Sequence, residues 1–246
     1  MELDGHWLAL AAVVLLAFGI EATTGFGATV IAVALGAHVL PMHALLPRLV
    51  PLGLVLSTYL VLRHRAHIDR RLLLLGVLPP MGVGLVLGLA LFERASNAAL
   101  QRAFGVFVLL VAARELWRLR RRESSPGRRL PALAEGAALV GAGVIHGVFA
   151  SGGPLLVYAL GRRGLAKERF RATLSSIWLT LGVALVVAYA RQGLLDRDSL
   201  LATAGLVPVL GPAILAGEWA HGRLDELRFR RAVFALLLAA GASNVV

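Results

Sequence analysis

The sequence predicts an all-α polytopic membrane protein made of two inverted repeats, each a re-entrant or broken helical hairpin followed by three transmembrane helices. Three observations predict it. Of 246 residues, 58% are hydrophobic and only 16% charged, which is not the composition of a soluble domain. Apolar runs at 72–92, 98–113, 173–190, 200–220 and 232–246 approach the roughly 20 residues that cross a bilayer as helix. The basic residues gather in short clusters between such runs.

The net charge of +11 invites a nucleic-acid-binding reading, but its distribution removes that reading. Clusters at 63–71, 114–130, 162–171 and 221–231 hold 20 of the 25 Lys and Arg, and each falls in a loop between apolar runs. Charge placed this way records topology, so the expected surroundings are a lipid bilayer and no nucleic acid. The amino terminus MELDGHW is acidic where a signal peptide is basic, and no cleaved leader is expected. The chain has no cysteine, which excludes disulfides and thiolate metal sites. No metal or other cofactor is implied.

By the positive-inside rule the four clusters are cytoplasmic. The opposite turns, ER at 93–94 and RQGLLDRD at 191–198, are short and carry compensating acids, so they belong outside together with both termini. One helix runs outward from Arg71, turns near Glu93 and returns by Arg114; a second out-and-back pair joins Arg171 to His221. The segment 131–161 has a basic cluster at each end and must enter and leave on one side within 31 residues. Two full crossings need about 40 residues. Arms of about 14 residues, at about 1.5 Å each, reach about 21 Å. A re-entrant hairpin follows, with HGVFASGGP (146–154) at its apex.

Gly152, Gly153 and Pro154 are suited to break the helix there. Broken backbone at membrane depth must be buried in protein or line a polar cavity. The returning arm, beginning near Ser151, points free N–H groups and a positive dipole end at the apex, which suits a small anionic substrate.

The run 8–40 repeats this character around GIEATTGFGAT (19–29). Aligning ATVIAVALG (28–36) with GPLLVYALG (153–161) superposes Gly27 on Gly152 and Glu21 on His146. Downstream, PPMGVGLVLG (79–88) matches PVLGPAILAG (208–217). The halves are a first repeat at 1–122, a basic cytoplasmic linker at 123–130 and a second repeat at 131–246. Three crossings per half is an odd number, so the second half enters in the opposite sense. Inverted repeats with unwound segments near the midplane are the architecture of secondary transporters working by alternating access.

Within the breaks, Glu21 is a candidate proton-binding or gating residue, because an ionisable group at that depth is costly; alternatively it hydrogen-bonds the broken backbone. His146 can take up a proton or donate to an oxyanion, or it caps a loop carbonyl. Thr23, Thr24 and Ser151 place hydroxyl donors beside Gly25, Gly27, Gly152 and Gly153, whose backbone N–H groups complete an oxyanion shell. Arg48 and Arg171 enter the first crossing helix after each hairpin and either attract the anion or reach to the headgroups.

These glycine-rich breaks, the Pro-Gly-Gly helix PPMGVGLVLG and the carboxyl-terminal RFRRAVFALLLAAG resemble the sulfite exporter TauE/SafE family of bacterial membrane permeases, over nearly the whole chain. The second copy reads ASGGP, and the first GFGAT where GFGGG is usual, which bears on the substrate more than on the fold. The resemblance implies a permease of the bacterial inner membrane that exports sulfite, sulfoacetate or a related organosulfonate, driven by an ion gradient. An importer or channel of the same fold stays open, as does a homodimer. An intramembrane serine protease built on FASGG is the enzyme rival, weakened by Phe149 two residues before Ser151 and by His146 lying on the same hairpin.

Overall fold

The computed structural model describes residues 5–24, 27–121, 129–221 and 225–245, and every regular element among them is helical. In chain order these are α1 (Gly5–Thr24), α2 (Ala28–Gly36), α3 (Met42–His64), α4 (Leu78–Arg94), α5 (Asn97–Arg120), α6 (Ala132–Phe149), α7 (Gly153–Leu160), α8 (Lys167–Arg191), α9 (Arg197–His221) and α10 (Glu226–Val245). Met42–His67, Leu72–Arg94, Ala132–Phe149, Glu168–Arg191 and Arg197–Gly217 are long and apolar enough to cross a bilayer, and Trp7–Ala22 and Arg231–Val245 are shorter apolar helices. The all-α membrane class read from composition holds. Most of the linker at 123–130 lies outside the described residues.

Proline shapes several of these helices. α3 carries Pro47 and Pro51, and α9 carries Pro208 and Pro212, each pair four residues apart inside the helix. A proline interrupts the backbone ladder, which membrane helices tolerate because neighbours re-satisfy the freed groups. α4 is preceded by a wide π-helical stretch, Leu72–Val77, in which the Leu78 N–H reaches back five residues to the Leu73 carbonyl. Pro79 and Pro80 follow at once, and the widened turn relieves the ring clash that a tight helix imposes on two successive prolines.

The chain divides into two compact units that each draw on both halves of the sequence. The first holds α1, α2, α5, α10 and the second part of α9. Here α5 and α10 cross at glycines: a Cβ on Gly105 would stand 2.9 Å from the Gly241 carbonyl oxygen. Asn244 in α10 ties three helices together, donating to the Ala34 carbonyl at 2.8 Å and accepting from the Gln101 amide at 3.1 Å.

The second unit holds most of α3, then α4, α6, α7, α8 and the start of α9. Its tightest crossing is α4 on α6, where Gly84 and Gly88 face Gly143 and Gly147. A Cβ on Gly84, Gly88 or Gly143 would strike the carbonyl oxygens of Val140, Val144 or Met81. Two G-x-x-x-G faces therefore bring the backbones together, as small residues do in membranes, where apolar burial does not drive helices together. Leu75 of the π-helical stretch, 73% exposed, and Val86 of α4, 66% exposed, suit contact with lipid. Asp196 caps α9 by accepting the Ser199 N–H at 2.8 Å.

Candidate functional site

The second break is built around one backbone reversal. α6 ends because Ala150 adopts the left-handed conformation, φ 52°, and returns its N–H to the His146 carbonyl at 2.7 Å. Among the described residues it is the one non-glycine with positive φ, a conformation that costs of order 1 kcal/mol. Gly152 follows because a Cβ there would strike the Ala142 carbonyl oxygen. Gly153 opens α7, and Pro154 lies in the first turn, where its missing N–H is no loss. Leu156 donates to the Gly152 carbonyl at 3.1 Å, whereas the N–H groups of Ser151, Gly152, Gly153 and Leu155 bond to no backbone carbonyl among the described residues. A short helix thus offers bare amides at its positive end.

His146 lies against this end, its Cβ 3.0 Å from where a Cβ would stand on Gly152. The imidazole is buried, 5% exposed, and both of its nitrogens are enclosed without a hydrogen-bond partner among the described residues. One face stacks on Trp178 of α8, ring centroids 5.3 Å apart and planes 29° from parallel. Ser151 is also buried, and its hydroxyl donates to the Phe149 carbonyl at 2.8 Å, so as placed it offers lone pairs rather than a proton. The same geometry removes the protease arrangement, since neither His146 nitrogen receives the Ser151 hydroxyl.

Hairpin two also has a closed base. Its arms are unequal, 18 residues in α6 against eight in α7, where equal arms of about 14 were expected. The length difference arises because α6 propagates until the Ala150 reversal, four residues before Pro154. After α7 a 3₁₀ turn, Gly161–Arg163, brings Arg163 level with Glu135 in the first turn of α6, and the two form a largely buried ion pair. From Glu135 to Phe149 the helix advances 14 steps, about 21 Å. The whole of α6, Ala132–Phe149, is nevertheless long and apolar enough to cross a bilayer, longer than the arm expected from sequence.

At the first break α1 runs through Thr24, and α2 starts after Gly27, whose φ of 103° only glycine adopts readily. Glu21 Oε2 accepts the Ala28 N–H at 2.7 Å, so the carboxylate caps the start of α2. Gly25 and the side chains of Thr23 and Thr24 lie outside the described residues.

The two arginines are placed differently. Arg171 sits in the second turn of α8 with Nε enclosed and without a partner among the described residues. It shares a face of α8 with Ser175 and Trp178, four and seven residues on. Ser175, however, turns its hydroxyl back to the Arg171 carbonyl at 3.0 Å. Arg48 is half-buried in α3 and lies toward the 191–198 turn. Its charge adds to the Ser199 hydrogen bonds, the larger cause, that hold the Asp196 carboxyl below the usual carboxylate range.

Sequence reasoning passed over Trp178, Ala150 and the Glu135–Arg163 pair. Glu135 was detectable as an acid inside an apolar arm. Nothing in the sequence pairs Trp178 with His146, because a lone aromatic in an apolar run reads as core.

The family model for sulfite exporter TauE/SafE matches residues 10–244. A curated relative, the probable inner membrane transporter protein TsaS of Comamonas testosteroni, is 25% identical over 168 residues, which cover 68% of this chain and 69% of that protein. No solved structure matches the chain. The family match takes in both glycine breaks and all but the ends of the chain, so this polytopic helical protein is a membrane transporter and not an enzyme, and it belongs to the sulfite exporter TauE/SafE family.

Proposed function

We propose that this transporter exports a small sulfur-containing anion, such as sulfite, sulfoacetate or a related organosulfonate, across the bacterial inner membrane by proton-coupled alternating access. The inner-membrane assignment follows the description of the TsaS relative. The observation that carries the reading is the second break, where bare amides at the start of α7 stand beside a buried imidazole with both nitrogens unpartnered. Polar groups left without partners in a buried site are expensive, and an oxyanion is a ligand that accepts from the amides and from an imidazole N–H together. On this reading His146 and the N–H groups of Ser151, Gly152 and Gly153 hold the anion, Arg171 draws it in along α8, and Thr23, Thr24, Gly25 and Gly27 form the counterpart at the first break. Arg48 adds a positive field from α3. Glu21 and His146 are the proton-coupling candidates. The two hairpins, with three crossing helices after each, form inverted repeats in this reading.

Binding and counterflow with purified, reconstituted protein test this proposal. Saturable binding of sulfite or sulfoacetate, with preloaded vesicles accelerating uptake of labelled anion, is the expected result. No saturable binding of any anion overturns the reading, and conductance without acceleration by preloaded anion replaces the carrier with a channel.

A further inference from the structure

Trp178 has a position that packing alone does not require. It is the twelfth residue of the 25-residue α8, so it stands about 16 Å or more from either end of the helix. That depth removes the usual role of a membrane tryptophan, which anchors at the lipid headgroups. One face of the indole is spent on His146. Its Cζ2 lies 3.7 Å from where a Cβ would stand on Gly153, the first residue of α7. Cζ2 and Nε1 are bonded to the same ring carbon, so the end of the indole beside Gly153 is the end that carries the N–H. The side chain is only partly covered, Nε1 is not enclosed, and none of the hydrogen bonds among the described residues uses it. An available donor thus stands next to the unpaired amides of the second break.

Resting on the anion reading of that break, we infer that the Trp178 N–H donates to the bound oxyanion and that the His146–Trp178 stack sets which anions the site accepts. The positive edge of an indole favours anionic oxygen, whereas its face repels it. The break therefore offers donors from the start of α7 and from one aromatic edge. A sulfur anion with three oxygens on one side and a lone pair or an organic substituent on the other satisfies this arrangement. Sulfate, with oxygen on all four sides, must give up water from an oxygen that meets no donor.

Titration calorimetry on the full-length protein with sulfite and with sulfate tests the inference, alongside fluorescence of a variant carrying Trp7→Phe, Trp117→Phe and Trp219→Phe, which leaves Trp178 as the one tryptophan. Sulfite is expected to shift Trp178 emission saturably, and sulfate to leave it unchanged at the same concentration. Trp178→Phe, which keeps the stack and removes the donor, is expected to weaken sulfite binding about tenfold, the scale of one hydrogen bond to a charged group, and to narrow the preference over sulfate. Unchanged sulfite affinity in Trp178→Phe, or emission indifferent to saturating sulfite, overturns the role of Trp178. If His146→Ala abolishes sulfite binding while Trp178→Phe does not, the anion reading survives without this inference. If the parent protein binds no anion, the anion reading falls with it. Should Trp178→Phe not fold, the emission measurement on the single-tryptophan protein still decides.

Discussion

At the first break Glu21 places its carboxylate on the Ala28 N–H, 2.7 Å away, where α2 presents an unpaired donor and a positive dipole end. Glu21 was expected in the first break, and the sequence left open whether it binds protons or supports broken backbone. Glu21 caps the backbone, and this does not oppose a proton role, because a carboxyl that protonates loses charge at the helix end and loosens the cap. Glu21→Ala should lower stability by about 1 kcal/mol, the scale of a lost cap, read as thermal unfolding in detergent. Glu21→Gln keeps an acceptor and should unfold nearly as the parent does, yet impair net proton-linked transport more than anion exchange. Equal activity in the two transport assays would remove the coupling role and leave the cap. His146 and Ser151 were also legible as residues of a break, but their states were not. That the imidazole nitrogens stand unpartnered and the serine proton is committed to Phe149 depends on φ at Ala150, which no residue type announces.

Among the elements, hairpin two was recognised because basic clusters flank a segment too short for two crossings. Its asymmetry was not, since helix length at a break is decided by where one residue can enter the left-handed region. The Glu135–Arg163 pair closes the hairpin across 28 residues of sequence, with side-chain exposures of 8% for Glu135 and 21% for Arg163. Removing one partner leaves a charge stranded, which in buried pairs costs roughly 3 kcal/mol or more. Glu135→Arg and Arg163→Glu should each destabilise the protein by about that much, measured by thermal unfolding in detergent, and the double exchange should recover most of the loss. Failure of the exchange to recover stability would show that packing of the individual side chains, not their charges, closes the hairpin. The crossing of α4 on α6 was visible in advance only as a row of glycines. That Gly84 and Gly88 meet Gly143 and Gly147, with carbonyls where Cβ atoms would be, is a fact of tertiary packing.

For the molecule as a whole, the compact units are not successive stretches of chain: each takes one hairpin and helices from both halves. The basic clusters predict a membrane orientation, and the absence of cysteine makes that orientation directly measurable. Single cysteines replacing Arg65 or Arg121, in the clusters expected inside, should escape an impermeant maleimide in intact cells. Cysteines replacing Glu93 or Arg191, in the turns expected outside, should react. The reverse pattern would invert the topology, and with it the side from which each hairpin enters.

Sequence by itself determined the membrane class, the positions of both breaks and, through the glycine and proline motifs, the family. Those properties follow from hydropathy, charge and residue type, which act over a few neighbours or against the bilayer and need no knowledge of packing. Tertiary structure decided which side chains meet at each break, namely Glu21 on α2, and His146 against Trp178 and the start of α7. It also decided which helices share a unit. Such contacts join residues from seven to well over a hundred positions apart, and they are selected by the fit of side chains and glycine faces once the helices have formed. The polar interruption at 146–154 was therefore legible as a place where a ligand could bind, while the donors it presents became countable only after α6, α7 and α8 had been brought together.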